Sequence, residues 1–238
     1  MRAGALKDIA LQLQNAAAAA GRPVPRLLAV SKTQDATAVA DLADAGQVAF
    51  GENYVQETAG KQPALADRGL EWHLIGHLQS NKAREAATLF DWVQTVDRPK
   101  LVAALAGHRA PDRPPLNVLI QVNIDDEASK HGCQPGDVAA LATAIAAQPR
   151  LKLRGLMVIP TPHPDPEQRR DAFRRTRQLF EALRAEHPDV DTLSMGMSDD
   201  FAIAIAEGAT MVRIGTALFG ARKTRDPGLG TRDPEKGD

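Results

Sequence analysis

A single cysteine, Cys133, stands in the 238 residues. No disulfide within the chain can therefore brace the fold, and such usage fits a reducing cytosol. Net charge is nearly absent: 29 basic residues against 30 acidic ones leave −1, so no overall field favours nucleic acid or an anionic membrane. No run of about 18 apolar residues occurs, which excludes a predicted transmembrane span. The stretch Ala5–Ala20 reads as a helix and not as a secretory signal, because Asp8, Gln12, Gln14 and Asn15 interrupt it. A Walker A loop, a G-x-G-x-x-G and a G-x-S-x-G are also missing. These absences predict a cytoplasmic protein with no nucleic-acid or membrane partner.

What is present is a core and a rhythm. The hydrophobic share, 43%, suits one barrel-sized domain or two small ones. Strand-like runs fall at Leu27–Ser31, Val48–Gly51, Trp72–Ile75, Trp92–Val96, Val118–Ile124, Gly155–Ile159, Leu193–Met195 and Met211–Ile214. Between them lie stretches of helical period, among them Ala36–Ala45, Gln56–Ala66, Lys82–Leu89 and Val138–Ala147. Strands alternating with helices predict βαβ units and a parallel sheet buried on both faces. Eight units in this length lie near the lower end of the usual (β/α)8 size, roughly 250 residues. An open doubly wound sheet is the structural alternative, since periodicity does not prove closure. The expectation is one (β/α)8 TIM barrel over residues 1–221 with an extra N-terminal helix. Residues 222–238 carry charges, Gly and Pro without apolar period, which predicts a disordered tail.

A parallel barrel gathers its active site at the C-terminal ends of its strands. The residues there are Ser31-Lys32, Gly51-Glu52-Asn53-Tyr54, Gly76-His77, Asn123, Met195 through Asp199, and Arg213-Ile214-Gly215-Thr216. Lys32 closes an apolar strand. It is either a solvated or carboxylate-paired rim lysine, or a carbonyl-reactive amine whose pKa falls on desolvation; position alone does not choose. The loops after strands seven and eight are the fold's usual phosphate site, where Gly215 admits an anion and Thr216 and Ser198 offer hydroxyls. Gly215 as a plain turn residue and Thr216 as a helix cap are the competing readings. His73 and His77 lack the glutamate of a zinc-protease motif, and His73 reads as a packing residue. The arginines from Arg169 to Arg184 share a helix with Asp171 and Glu181, which reads as a solvated face. Asp125-Asp126-Glu127 and Asp199-Asp200 read as acidic loop and helix-start residues.

The strings LLAVSKT (Leu27–Thr33), FGENYVQE (Phe50–Glu57), WHLIGHLQSNK (Trp72–Lys82), QVNIDDEASKHG (Gln121–Gly132), GLMVIP (Gly155–Pro160) and LSMGMSDDF through MVRIGTALFG (Leu193–Gly220) occur in order. Together they closely resemble the pyridoxal phosphate homeostasis protein family, from about Leu27 to Arg222. The resemblance implies the barrel of the alanine racemase N-terminal domain, and pyridoxal 5′-phosphate (PLP) held as a Schiff base on Lys32. It further implies Ser198, Gly215 and Thr216 at the phosphate, Arg213 at the pyridine nitrogen, and Asn53, His77 and Met195 near the ring. Ala202 departs from the acidic residue usual there, which weakens a helix-dipole contact and touches no cofactor position.

Two functions share these parts. One is a non-catalytic carrier in vitamin B6 homeostasis that buffers PLP or delivers it to PLP-dependent apo-enzymes; the other is a fold-type-III amino-acid racemase. Racemisation needs a second acid/base on the opposite face of the substrate, which the racemases supply as a tyrosine from a separate domain. The sequence leaves no length for that domain, and its only tyrosine is Tyr54. The carrier is therefore expected, mostly monomeric with some dimer, and no metal is called for.

Overall fold

The structure, a computed structural model, describes residues 2–127 and 130–220. Strands β1 (Arg26–Val30), β2 (Ala49–Glu52), β3 (Glu71–Leu74), β4 (Trp92–Val96), β5 (Leu116–Val122), β6 (Leu151–Val158), β7 (Thr192–Ser194) and β8 (Met211–Ile214) close into one barrel in chain order. All neighbours are parallel, and the β1–β8 pair, with Ala29 opposite Ile214, seals the ring. The expected closed barrel is what the chain forms, and the open sheet is excluded.

The helices are α1 (Arg2–Ala20), α2 (Ala36–Asp44), α3 (Val55–Lys61), α4 (Ala83–Leu89), α5 (Pro99–His108), α6 (Val138–Ala146), α7 (Pro166–Glu186), α8 (Phe201–Ala206) and α9 (Thr216–Phe219). Local chemistry starts several of them. The Asp35 carboxylate accepts the Ala38 N–H at 2.7 Å, and Asp165 caps α7 ahead of Pro166. The helix expected over Gln56–Ala66 instead splits at Lys61, and residues Gln62–Arg68 form a 3₁₀ turn. Pro63 supplies the reason, since it lacks the N–H an α-helix would use there. Strand β6 starts four residues before the expected Gly155, because Leu151 and Leu153 are buried around exposed Lys152. The α1 residues Ile9, Leu13 and Ala17, at helical spacing, are buried, and α1 packs on α2, α8 and α9. The extra helix thus backs the segment that carries Thr216. The proposed tail, 222–238, lies outside the described residues.

Strand alternation divides the apolar residues. One set forms the large cluster between sheet and helices. Two small clusters fill the barrel itself: Leu28, Ala49 and Met211 with Ile75, and Trp92, Leu119 and Met157. The polar residues His73, Gln94, Ser194 and Arg213 are buried as well.

Candidate functional site

Closure of β1 on β8 brings Lys32 to Gly215 and Thr216. These three line one small cavity of ≈ 40 Å³ with Val30, Thr33, Gln34, Phe219 and Gly220. A Cβ built on Gly215 would stand 3.3 Å from the Val30 carbonyl oxygen. The tight backbone approach there leaves little space for a side chain. The residue after Lys32 is Thr33 at φ 65°, a conformation strained for a β-branched residue. Its N–H donates to the Glu57 carboxylate at 3.1 Å, which helps hold the turn.

Behind the turn lies a buried ion pair. Lys61 Nζ donates to Glu52 Oε1 at 2.8 Å and to the Ser31 carbonyl at 2.9 Å, while the Ser31 hydroxyl donates to the same carboxylate oxygen at 2.5 Å. Ser31 and Glu52 were expected at the mouth, but they pair with α3, and Glu52 is wholly buried. Burial pushes the Glu52 pKa up, against the pull of Lys61 and Ser31. The pair anchors the backbone on which Lys32 stands.

Arg213 is 4% exposed. Its Nη1 donates to the Ser194 carbonyl and hydroxyl, both at 2.8 Å, and its Nη2 donates to the Val158 carbonyl at 2.7 Å. Burial lowers its pKa to about 10, so it is a cation at neutral pH. From it a one-directional hydrogen-bond chain descends through the barrel. The Ser194 hydroxyl donates to Gln94 Oε1 at 2.7 Å, and Gln94 Nε2 donates to His73 Nδ1 at 2.9 Å. His73 then carries its proton on Nε2 and donates to Glu71, which also takes Arg26 Nη1 at 2.8 Å. Burial lowers the His73 pKa, which keeps the ring neutral. Every group in this chain is satisfied in a single direction, so each fixes the next.

On the neighbouring arc, Asn53 and His77 line a larger cavity of ≈ 440 Å³ with Tyr54, Gly76, Gln79 and Lys82, among others. Gly76 is required there, since a Cβ would fall 2.1 Å from the Asn53 carbonyl oxygen. The described cavities thus hold the expected residues in two groups: Lys32, Gly215 and Thr216 in one, Asn53 and His77 in the other. Ser198 is half-buried in the β7–α8 loop, where Asp200 accepts the Met197 N–H at 2.7 Å. Met195 lies away from both cavities. It is fully buried in the cluster between sheet and helices, because Ser194 takes the inward position and its neighbour faces out. Asn123 staples its own loop by bonding the Glu127 backbone, and Asp125 pairs with Arg175 at 2.9 Å.

Gln94, Ser194 and Lys61 escaped sequence reading. The only signal was a polar residue inside an apolar run, as in Trp92-Val93-Gln94, and nothing local says which strand will face it.

The family described as alanine racemase, N-terminal domain, matches residues 5–223. A pyridoxal phosphate homeostasis protein of Pseudomonas aeruginosa is 53% identical over 219 residues, covering 91% of this chain and 94% of the relative. Its counterpart in Escherichia coli K12 is 53% identical over 199 residues, covering 82% and 85%. The structure of PipY from Synechococcus elongatus PCC7942 with PLP bound superposes with a TM-score of 0.81 at 36% identity, covering 92% of this chain and 100% of that one. An alanine racemase structure from Corynebacterium glutamicum, at 19% identity and TM-score 0.68, shares the fold over 64% of its length.

Proposed function

This chain belongs to the pyridoxal phosphate homeostasis protein family, on the alanine racemase N-terminal barrel, and from that premise we propose that it binds PLP at its barrel mouth for vitamin B6 homeostasis, with Lys32 as the covalent anchor. PLP supplies an aldehyde that condenses with a primary amine, a phosphate, and a pyridine nitrogen that accepts a hydrogen bond. The observation that carries the reading is the cavity shared by Lys32, Gly215 and Thr216. It brings a lysine, a glycine and a threonine to one wall, where the amine could meet the aldehyde while Gly215 and the Thr216 hydroxyl could meet the phosphate. Ser198 adds a second hydroxyl from the β7–α8 loop. Arg213, held by β6 and β7, would be the cation set toward the ring nitrogen, where it would disfavour protonation. Asn53 and His77, which line the larger cavity, would border the ring.

We read the protein as a carrier, not a racemase. Its one tyrosine, Tyr54, is 59% exposed, so packing does not hold the phenol in place opposite a substrate. Cys133 offers no acid/base near neutrality, because burial pushes its pKa up to about 12. Among the described residues, no helix is long and apolar enough to cross a membrane. The same reading makes this a cytoplasmic protein, mainly monomeric, that gives PLP to apo-enzymes.

The test is to add PLP to purified protein, reduce with borohydride, and locate the label by mass spectrometry. The expected result is a visible absorbance band and a label on Lys32, both lost in Lys32→Ala. A protein left colourless once free PLP is removed, or a label on another lysine, overturns the site. Incubation of loaded protein with L-alanine and chiral analysis should yield no D-alanine; sustained turnover that needs Lys32 overturns the carrier reading.

A further inference from the structure

Three consecutive strand ends bring His77, Asp97 and His131 together beside the mouth. His77 follows β3, Asp97 follows β4, and His131 lies in the segment after β5. The two imidazoles stack with centroids 3.7 Å apart and planes 13° from parallel. Asp97 Oδ2 lies 4.0 Å from His77 Nδ1, and one donor atom from each residue falls within 4.8 Å of the other two. We propose that these three side chains form a binding site for a divalent transition-metal ion of the zinc class.

The surroundings position each ligand. Arg98 Nη1 donates to Asp97 Oδ1 at 2.5 Å, while Arg98 Nη2 donates to the Leu78 carbonyl at 2.9 Å. The guanidinium thus fixes one carboxylate oxygen and leaves the other turned to the imidazoles, as an outer partner does around a metal. The Thr95 hydroxyl donates to the Gly76 carbonyl at 2.9 Å, tying the base of the His77 loop to β4. His131 is held by a returning segment: Cys133 bonds back to Gln121 and Asn123 through the backbone, both at 2.9 Å. Gln121 Nε2 also donates to the His131 carbonyl at 3.3 Å.

Donor chemistry selects the ion. Two imidazoles and one carboxylate suit zinc, nickel, cobalt or copper, whereas magnesium and calcium prefer oxygen ligands. Tetrahedral zinc with ligands at 2.0–2.1 Å needs donors about 3.4 Å apart. The rings stack nearly parallel, so one imidazole must turn out of the stack to bring both in-plane lone pairs onto one ion. The set must also draw in by about 1 Å; two exposed imidazoles allow both movements. Three protein ligands leave a fourth position for water or a donor from solvent. His77 also lines the cavity assigned above to the PLP ring, so the site shares that residue with the PLP reading. Lys32 lies in a different cavity, and its removal separates the two.

The experiment is calorimetric titration of metal-free, full-length protein with zinc chloride, alongside magnesium chloride. Imidazole ¹⁵N spectra identify the ligating histidines. One zinc per chain is expected, with no magnesium heat, and with His77 and His131 shifting together. His131→Gln and Asp97→Asn should each weaken zinc by roughly tenfold or more, with thermal melts confirming that both fold. Lys32→Ala and His108→Gln should bind zinc as the parent does. Zinc affinity unchanged in His131→Gln, shifts confined to other histidines, or no stoichiometric binding overturns the proposal and leaves a plain stacked histidine pair.

Discussion

Replacing Lys61 by methionine isolates the buried pair beneath the Lys32 turn. The Glu52 carboxylate is wholly buried and Lys61 nearly so, at 0% and 10% side-chain exposure. Removing one partner of such a pair leaves an uncompensated charge and costs about 3–5 kcal/mol. The Ser31 hydroxyl still donates to Glu52, which places the expected loss near the lower end, about 3 kcal/mol. For a chain of this size that loss lowers the melting temperature by about 6–12 °C. The sign with pH follows from Glu52, whose folded pKa already lies above 4.5. A raised carboxyl pKa contributes stability below the unfolded value and loses it as pH rises through the folded one. Without Lys61 the folded pKa climbs further. The deficit of Lys61→Met should therefore be full above that pKa and shrink as pH falls toward 4.5. Urea denaturation across pH measures it, and the double variant Glu52→Gln/Lys61→Met should recover most of the loss. A deficit below about 1 kcal/mol, or one that ignores pH, refutes the assignment. PLP loading of Lys61→Met should fall as well, since the Ser31 carbonyl loses its donor.

Ser194→Ala interrupts the chain from Arg213 to Gln94 and should cost about 1–3 kcal/mol in urea denaturation, with weaker PLP loading. Gln94→Leu should do the same through Ser194 and His73. Gly215→Ala presses a methyl group on the Val30 carbonyl; a PLP titration should show lost affinity with little change in melting temperature. Burial of the Cys133 thiol, with its pKa near 12, predicts no reaction with a thiol reagent at neutral pH until the protein is unfolded. Glu71→Gln tests the lower end of the barrel. Burial would raise the Glu71 pKa, but the His73 hydrogen bond and Arg26 hold it at about 2. Its stabilising effect should therefore be present above pH 4.5 and fade as pH drops toward 2, read as a shrinking gap between parent and variant.

Much of this protein was decided locally. Apolar runs of strand length, divided by helical periods, are legible one segment at a time, and their number and order already implied parallel βαβ units. Lys32, Gly215 and Thr216 could be named because each stands directly after such a run, where this fold gathers its chemistry. The break at Pro63 was missed, although a proline inside a helical stretch is a local signal for it. Closure was not legible, since pairing Ala29 with Ile214 joins strands far apart in sequence. Only that pairing puts Lys32 and Gly215 on one cavity. The faces of Ser194 and Met195, the retreat of Glu52 onto Lys61, and the relay from Arg213 through Gln94 to His73 have the same origin. Each depends on which strands become neighbours and in what register, and tertiary packing sets both.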